Sequence, residues 1–243
     1  MNQHEILIIL PALNEEEAIG KVIDEIPKQV LENRGYQVRI LVADGNSRDR
    51  TRQIAQEKGA EVIVESRRGK GRALRTVFER FKADYVFMLD ADYTYPATYI
   101  PEMLDILEQG YSVVIGSRLK GKIEKGGMSF LNLVGNHLLT LMANILYSTK
   151  ISDLCTGYWG WKGDIITSLP LVSDGFTIEA ELFINLARKG YKIAEIPIYY
   201  RRRFTPPKLK ALRDGIKIGW SLITRRLRRP AGGRDESGDI RSA

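Results

Sequence analysis

The chain has 243 residues, 44% hydrophobic and 28% charged, with Lys+Arg 37 against Asp+Glu 30 and a net charge of +7. That balance excludes collagen-like, low-complexity and wholly disordered chains, and the length suits one large α/β domain around a packed core. The lone cysteine, Cys155, excludes an internal disulfide and reads as a small buried hydrophobe in a reducing compartment, while the positive charge calls for an anionic partner: nucleotide, nucleic acid or acidic lipid.

Ile6 to Leu10 is a continuous apolar run closed by Pro11, the pattern of a strand buried on both faces. A helix is expected over Glu15–Val30, with Ala18, Val22, Ile23 and Ile26 near helical spacing and Asn14 as its cap. A second strand is expected at 38–43, turn chemistry at Asp44-Gly45-Asn46-Ser47, a helix over 48–58, a strand at 61–64, a helix over 71–81 and a fourth strand at 85–89. This alternation predicts a mostly parallel sheet with crossover helices. Ligands of such sheets bind beyond the carboxyl ends of the strands, which points to the loops opening at Pro11, Asp44 and Asp90. The first of these lacks a Gly-rich phosphate turn, against a nicotinamide-dependent dehydrogenase. The first five residues show no secretion signal.

Met128–Tyr147 carries no formal charge apart from His137, and Leu131, Val134, Leu138, Leu141 and Ile145 recur at helical spacing. A spanning helix needs about 20 mostly apolar residues. Asn132, Asn136, His137 and Asn144 make a span costly, so 128–147 is expected as an amphipathic helix packed on the core or lying in a membrane interface. Arg201–Arg229 holds eleven basic residues against Asp214 alone, so the basicity is local. Leu209, Leu212, Ile216, Trp220, Ile223 and Leu227 step by three and four, which predicts a basic amphipathic helix over 208–229. Membrane binding and docking on the 1–207 domain both remain open for it. The tail, 230–243, is small and polar and is expected to be disordered.

Asp90-Ala91-Asp92 follows the fourth strand. In an extended chain residues i and i+2 face one side, so both carboxylates can face one ligand. Oxygen donors in that arrangement suit Mg2+ or Mn2+, with substrate phosphates completing the shell. Trp159, Trp161 and Tyr158 read as core rather than as a sugar platform.

Pro11-Ala12-Leu13-Asn14-Glu15, Asp44 to Thr51, Arg68-Gly69-Lys70-Gly71 and Asp90-Ala91-Asp92 together resemble the family 2 glycosyltransferases, whose GT-A fold binds a nucleoside diphosphate sugar. Gly116-Ser117-Arg118, Asp153 to Gly157, Phe176 to Glu181 and Ile196 to Tyr200 preceding Arg203 and Lys208 are similar to the polyprenyl-phosphate branch, the dolichyl-phosphate mannose and glucose synthases. The resemblance implies that Pro11, Leu13 and Glu15 frame the base and ribose and that Asp44 lies near the base. Gly45 stands where the family has a second Asp, and Asn46 is the candidate substitute. It implies further that Asp90, Ala91 and Asp92 contact the sugar diphosphate and that Asp90 and Asp92 hold the metal. Arg118, Arg203 and Lys208 would meet the acceptor phosphate, and Lys70 either reaches a phosphate or decorates a turn. Thr94 replaces a Gln common in the mannose enzymes.

The expected reaction is a metal-dependent, inverting transfer of a hexose from a UDP- or GDP-sugar to a polyprenyl phosphate, with Asp90, Asp92, Arg118 and Arg203 as the catalytic set. The enzyme would sit peripherally on the cytoplasmic face of a membrane, without a span. An alternative is a hydroxyl acceptor with Glu181 or Glu179 as base. A non-enzymatic nucleic-acid binder is the distant alternative; no recognition motif accompanies the charge, so no nucleic acid is expected as a partner.

Overall fold

A computed structural model describes residues 4–204 and 211–227. Seven strands form one sheet: β1 (Glu5–Ala12), β2 (Gln37–Asp44), β3 (Glu61–Val64), β4 (Tyr85–Met88), β5 (Val113–Ile123), β6 (Trp159–Lys162) and β7 (Ile193–Tyr200). Their order is β3-β2-β1-β4-β6-β5-β7, and β6 alone runs antiparallel to its neighbours. β1 lies inside the sheet between β2 and β4, where Ile6, Ile8 and Leu10 enter one apolar layer and Leu7 and Ile9 the other. That two-sided burial is why the run is continuously apolar.

The first layer is closed by α1 (Ile19–Glu25), α2 (Lys28–Asn33), α3 (Thr51–Glu57) and α5 (Ile100–Glu108). The second is closed by α4 (Lys70–Arg80), α6 (Phe130–Tyr147), α7 (Gly163–Thr167), α8 (Ile178–Arg188) and α9 (Ala211–Leu227). The single helix expected over 15–30 is two helices. Pro27 has no N–H to donate and forces Ile26 out of the helical region, to ψ 122°. Asn14 does not cap α1. It adopts φ 50°, takes the Arg48 N–H on its Oδ1 at 2.8 Å, and gives its own N–H to Ser47 Oγ at 2.9 Å. The first loop is thereby stapled to the second. α3 likewise begins only at Thr51, whose N–H donates to Asp49 Oδ1 at 3.0 Å. Tyr158, Trp159 and Trp161 are buried, the two indoles stacked with centroids 5.6 Å apart, as core residues.

α6 is long and apolar enough to cross a membrane by length and composition. One of its faces is nevertheless committed to the domain: Thr140 Oγ1 accepts from Leu154 N at 3.1 Å, and Asn144 Nδ2 donates to Ile151 O at 2.8 Å. Phe130, Leu131, Leu138, Leu141 and Ile145 are exposed. α9 docks on the domain along one face. Ile218 and Leu222 enter the core, and Tyr147 Oη donates to Leu222 O at 2.9 Å, whereas Leu212, Ile216, Trp220 and Leu227 face outward. Two amphipathic helices thus lie side by side, and among the described residues nothing covers these exposed apolar side chains, some of which also border the groove between the helices. Lys208 and the 230–243 tail lie outside the described residues.

The turn from β6 into α7 requires the absence of a side chain at Gly163, where a Cβ would stand 1.7 Å from Ala83 O. Gly163→Ala should therefore destabilise the chain by about 1–3 kcal/mol, read as a fall in Tm of about 2–4 °C per kcal/mol in a thermal melt.

Candidate active site

The loops that follow β1, β2 and β4 open at one edge of the sheet, where the 90–92 acids meet cations from elsewhere in the chain. β4 makes its last ladder bond through Leu89 N to Ile9 O at 3.2 Å, and the chain then turns. The acids lie on this turn, not on the extended segment that the i, i+2 spacing suggested. Asp92 Oδ1 closes the turn by accepting from Thr94 N at 3.1 Å and Thr94 Oγ1 at 2.5 Å, and Tyr93 takes φ 65°. Arg201 braces it from β7, donating its N–H to Thr94 O at 2.9 Å and covering the Tyr93 ring at 4.2 Å, itself held by Glu25 of α1. Glu25 Oε2 also accepts from Ala97 N at 3.0 Å. Gly157 lies against the first acid, so close that a Cβ there would stand 2.6 Å from Asp90 Oδ2.

Two cations answer the acids. Lys70, the first residue of α4, reaches Asp90 Oδ1 at 2.5 Å and Glu179 Oε1 at 2.6 Å. Arg203, beyond β7, reaches Asp92 Oδ2 at 2.9 Å and Glu15 Oε1 at 3.2 Å, and its Nε is buried without a hydrogen-bond partner. Four carboxylates thus face two cations. Burial, reinforced by Asp90, raises the Asp92 carboxyl above the ordinary range, and burial does the same to Glu179. For Lys70, burial works against the charged form, but Asp90 and Glu179 outweigh it and keep the ammonium protonated.

A single cleft of about 1350 Å³ unites these groups. Pro11, Leu13, Glu15, Asn46, Lys70, Asp90, Ala91, Asp92, Arg118, Glu179 and Arg203 all line it. Its far end runs between α6 and α9, walled by Leu131, Val134, Leu138, Leu212 and Ile216. Asp44 is fully buried behind its neighbours Ala43 and Gly45, which do line the cleft. Its Oδ1 accepts from Ser47 N at 2.9 Å, while Oδ2 is without a hydrogen-bond partner, an orphaned acceptor.

Two of the expected site residues are already engaged by neighbours. Arg118 lines the cleft, but its fork grips Asp153 at 2.7 and 2.8 Å, so its charge is already neutralised. Glu181, a candidate base, does not line the cleft; it is fully buried and takes N–H bonds from Val172 and Ser173 and an ion pair from Arg225. Sequence reasoning missed Asp153 as the partner of Arg118 and Glu25 as the brace of the acid turn. Asp153 stood in a quoted motif; Glu25 sat unmarked on a helix. Among the described residues no group of three or more His, Cys, Asp or Glu converges on one metal position.

Residues 7–166 match the family model described as Glycosyl transferase family 2. A glycosyltransferase AglJ of Haloferax volcanii is 37% identical over 223 residues, covering 90% of this chain and 71% of that protein. A dolichyl-phosphate hexose transferase of the same organism is 33% identical over 219 residues, covering 90% of this chain and 92% of that protein. Among solved structures, glucosyl-3-phosphoglycerate synthase from Mycobacterium tuberculosis, crystallised with Mn2+ and UDP-glucose, superposes with a TM-score of 0.69 at 25% identity, over 91% of this chain and 77% of that one.

Cys155 lines the same cleft, and burial pushes its thiol up to about 12. The thiolate is the nucleophile, so the native chain at pH 7.5 should react with a disulfide reagent far more slowly than the chain in denaturant. Equal rates, followed by absorbance, would contradict that environment.

Proposed function

The chain belongs to glycosyl transferase family 2 and has the GT-A fold, and on that premise we propose that it transfers a hexose from a nucleoside diphosphate sugar to a polyprenyl (dolichyl) phosphate, inverting the anomeric carbon. The observation that carries this reading is the continuity of the cleft: polar loops at one end, paired acids in the middle, and an apolar groove between α6 and α9 at the other. A donor with a charged diphosphate and an acceptor with a charged head and a hydrocarbon tail match those three parts.

Pro11, Leu13, Glu15 and Asn46 frame the base and ribose, with Asp44 buried behind Ala43 and Gly45 at the same loops. The site fits Mg2+ or Mn2+: its candidate ligands are carboxylate oxygens that pair, among the described residues, only with Lys70 and Arg203, and a sugar diphosphate would complete the shell. Asp90 and Asp92 would hold the ion, which would supply charge neutralisation to the departing diphosphate. Lys70, at the first residue of α4, reaches the donor phosphates from beside Asp90. Arg203, whose Nε is already unpartnered, turns from Asp92 to the acceptor phosphate. Arg118, neutralised by Asp153, borders the same cleft, and Lys208 completes the acceptor-phosphate set in the reading taken from the sequence. One acceptor phosphate oxygen attacks the anomeric carbon as the bond to the diphosphate breaks. A phosphate monoester, with a second pKa of about 6, is anionic near neutrality and needs no base.

The outer faces of α6 and α9 lie in the lipid headgroup region, and basic residues nearby add about 1 kcal/mol each on an anionic surface. Attachment is peripheral, on the cytoplasmic face. A hydroxyl acceptor is the second reading, favoured by Glu179, whose raised carboxyl lines the cleft beside Asp90.

A panel of UDP- and GDP-hexoses with a short polyprenyl phosphate separates them. Transfer to the lipid phosphate, abolished by EDTA and lowered more than about a hundredfold in Asp92→Asn, is expected. Transfer only to sugar or glycerate hydroxyls, lost in Glu179→Gln, would replace this reading with the second.

A further inference from the structure

Lys70 is fixed from two directions, and both fixings come from the first turn of α8. Glu179 takes the ammonium at its tip. Two residues on, Glu181 takes the Val172 N–H at 3.0 Å and the Ser173 N–H at 2.7 Å. The segment it holds is the one that presses on the backbone around Lys70. Arg72 N donates to Asp174 O at 3.2 Å, and Arg75 Nη1 donates to Val172 O at 2.7 Å. Gly69, at φ 128°, and Gly71 admit it only because they lack side chains: their Cβ atoms would stand 1.9 Å from Asp174 O and 2.3 Å from Ser173 O. Residues 172–174 thus hold the start of α4 from outside, as Glu179 holds the Lys70 tip from inside.

The other end of this arrangement is α9. Arg225, in its last turn, meets Glu181 Oε1 at 2.7 Å. A fully buried carboxylate is expensive to keep charged unless it is paired and hydrogen-bonded, and Arg225 is its cation. We propose that Glu181 and Arg225 are positioning residues that register the Lys70 loop against helix α9, making the C-terminal helix part of the frame of the donor site. The inference rests on the reading of Lys70 as a donor-phosphate ligand. It does not depend on the acceptor's being a lipid.

The test is calorimetric titration of the full chain with Mn2+ and UDP or GDP, whichever binds the unaltered chain more tightly, with no acceptor present. Arg225→Met is expected to weaken diphosphate binding about tenfold, the scale of groups that orient first-sphere ligands. Arg225→Lys should restore it to within about threefold, since an ammonium can still pair with Glu181. Arg226→Met, the neighbouring basic residue of the same turn, controls for charge alone and should bind as the unaltered chain does. Unchanged affinity in Arg225→Met would overturn the proposal. So would a loss matched by a lowered Tm and not rescued by lysine, because that is the mark of a merely structural pair. Glu181→Gln, if it folds, should weaken binding at least as much as Arg225→Met; a folded Glu181→Gln with unaltered affinity would also overturn it. If the lipid reading fails and the acceptor is a hydroxyl, Arg225→Met still loses affinity, so the two failures are distinguishable.

Discussion

Four carboxylates that pair, among the described residues, with two cations in one cleft organise this molecule. Asp90, Asp92, Glu15 and Glu179 converge on Lys70 and Arg203. In a buried site such an imbalance is relieved by protonation or by a bound cation. Burial raises Asp92 and Glu179 in the direction that the first route requires. A divalent ion is the second route, and in the proposed reading it would free Lys70 and Arg203 for the phosphates of donor and acceptor.

The rest of the fold keeps that imbalance in place. The acid turn is tied to β7 by Arg201 and to α1 by Glu25, and its first carboxylate rests against a glycine backbone at 157. Asn14 joins the first two loops, so that end of the cleft is fixed as one piece with the strands behind it. The cation side comes from the start of α4 and the exit of β7, so closing the site brings residues more than a hundred positions apart into contact. Opposite them, α6 and α9 each give one face to the core and leave the other uncovered, and the cleft runs out between them.

Much of this was legible in the chain because it is written in local patterns. The apolar run at 6–10, the alternation of strands with amphipathic segments and the position of Asp90 at a strand end all survive into the structure, as do the cleft-lining positions of Pro11, Leu13, Asn46 and Arg203. What failed were inferences that need a third residue. The helix over 15–30 was broken by Pro27, whose effect on Ile26 outweighed the apolar spacing. Asn14 has a cap's chemistry but binds a distant loop. Asp90 and Asp92 converge through a turn closed by Thr94, not through strand alternation. Glu181 and Glu179 sit two apart in one motif, yet on a helix that spacing separates them: one faces Lys70 in the cleft, the other Arg225. The antiparallel course of β6 left no period of its own, because a four-residue strand with three consecutive buried residues looks alike in either direction.

The most direct measurement is a crystal structure of the chain with Mn2+ and the tighter-binding nucleoside diphosphate. The account predicts the ion at about 2.1 Å from oxygens of Asp90 and Asp92, with the Arg203 guanidinium displaced from Asp92. An ion bound elsewhere, or a bound diphosphate with both Lys70–Asp90 and Arg203–Asp92 pairs intact and no ion between the acids, would contradict it.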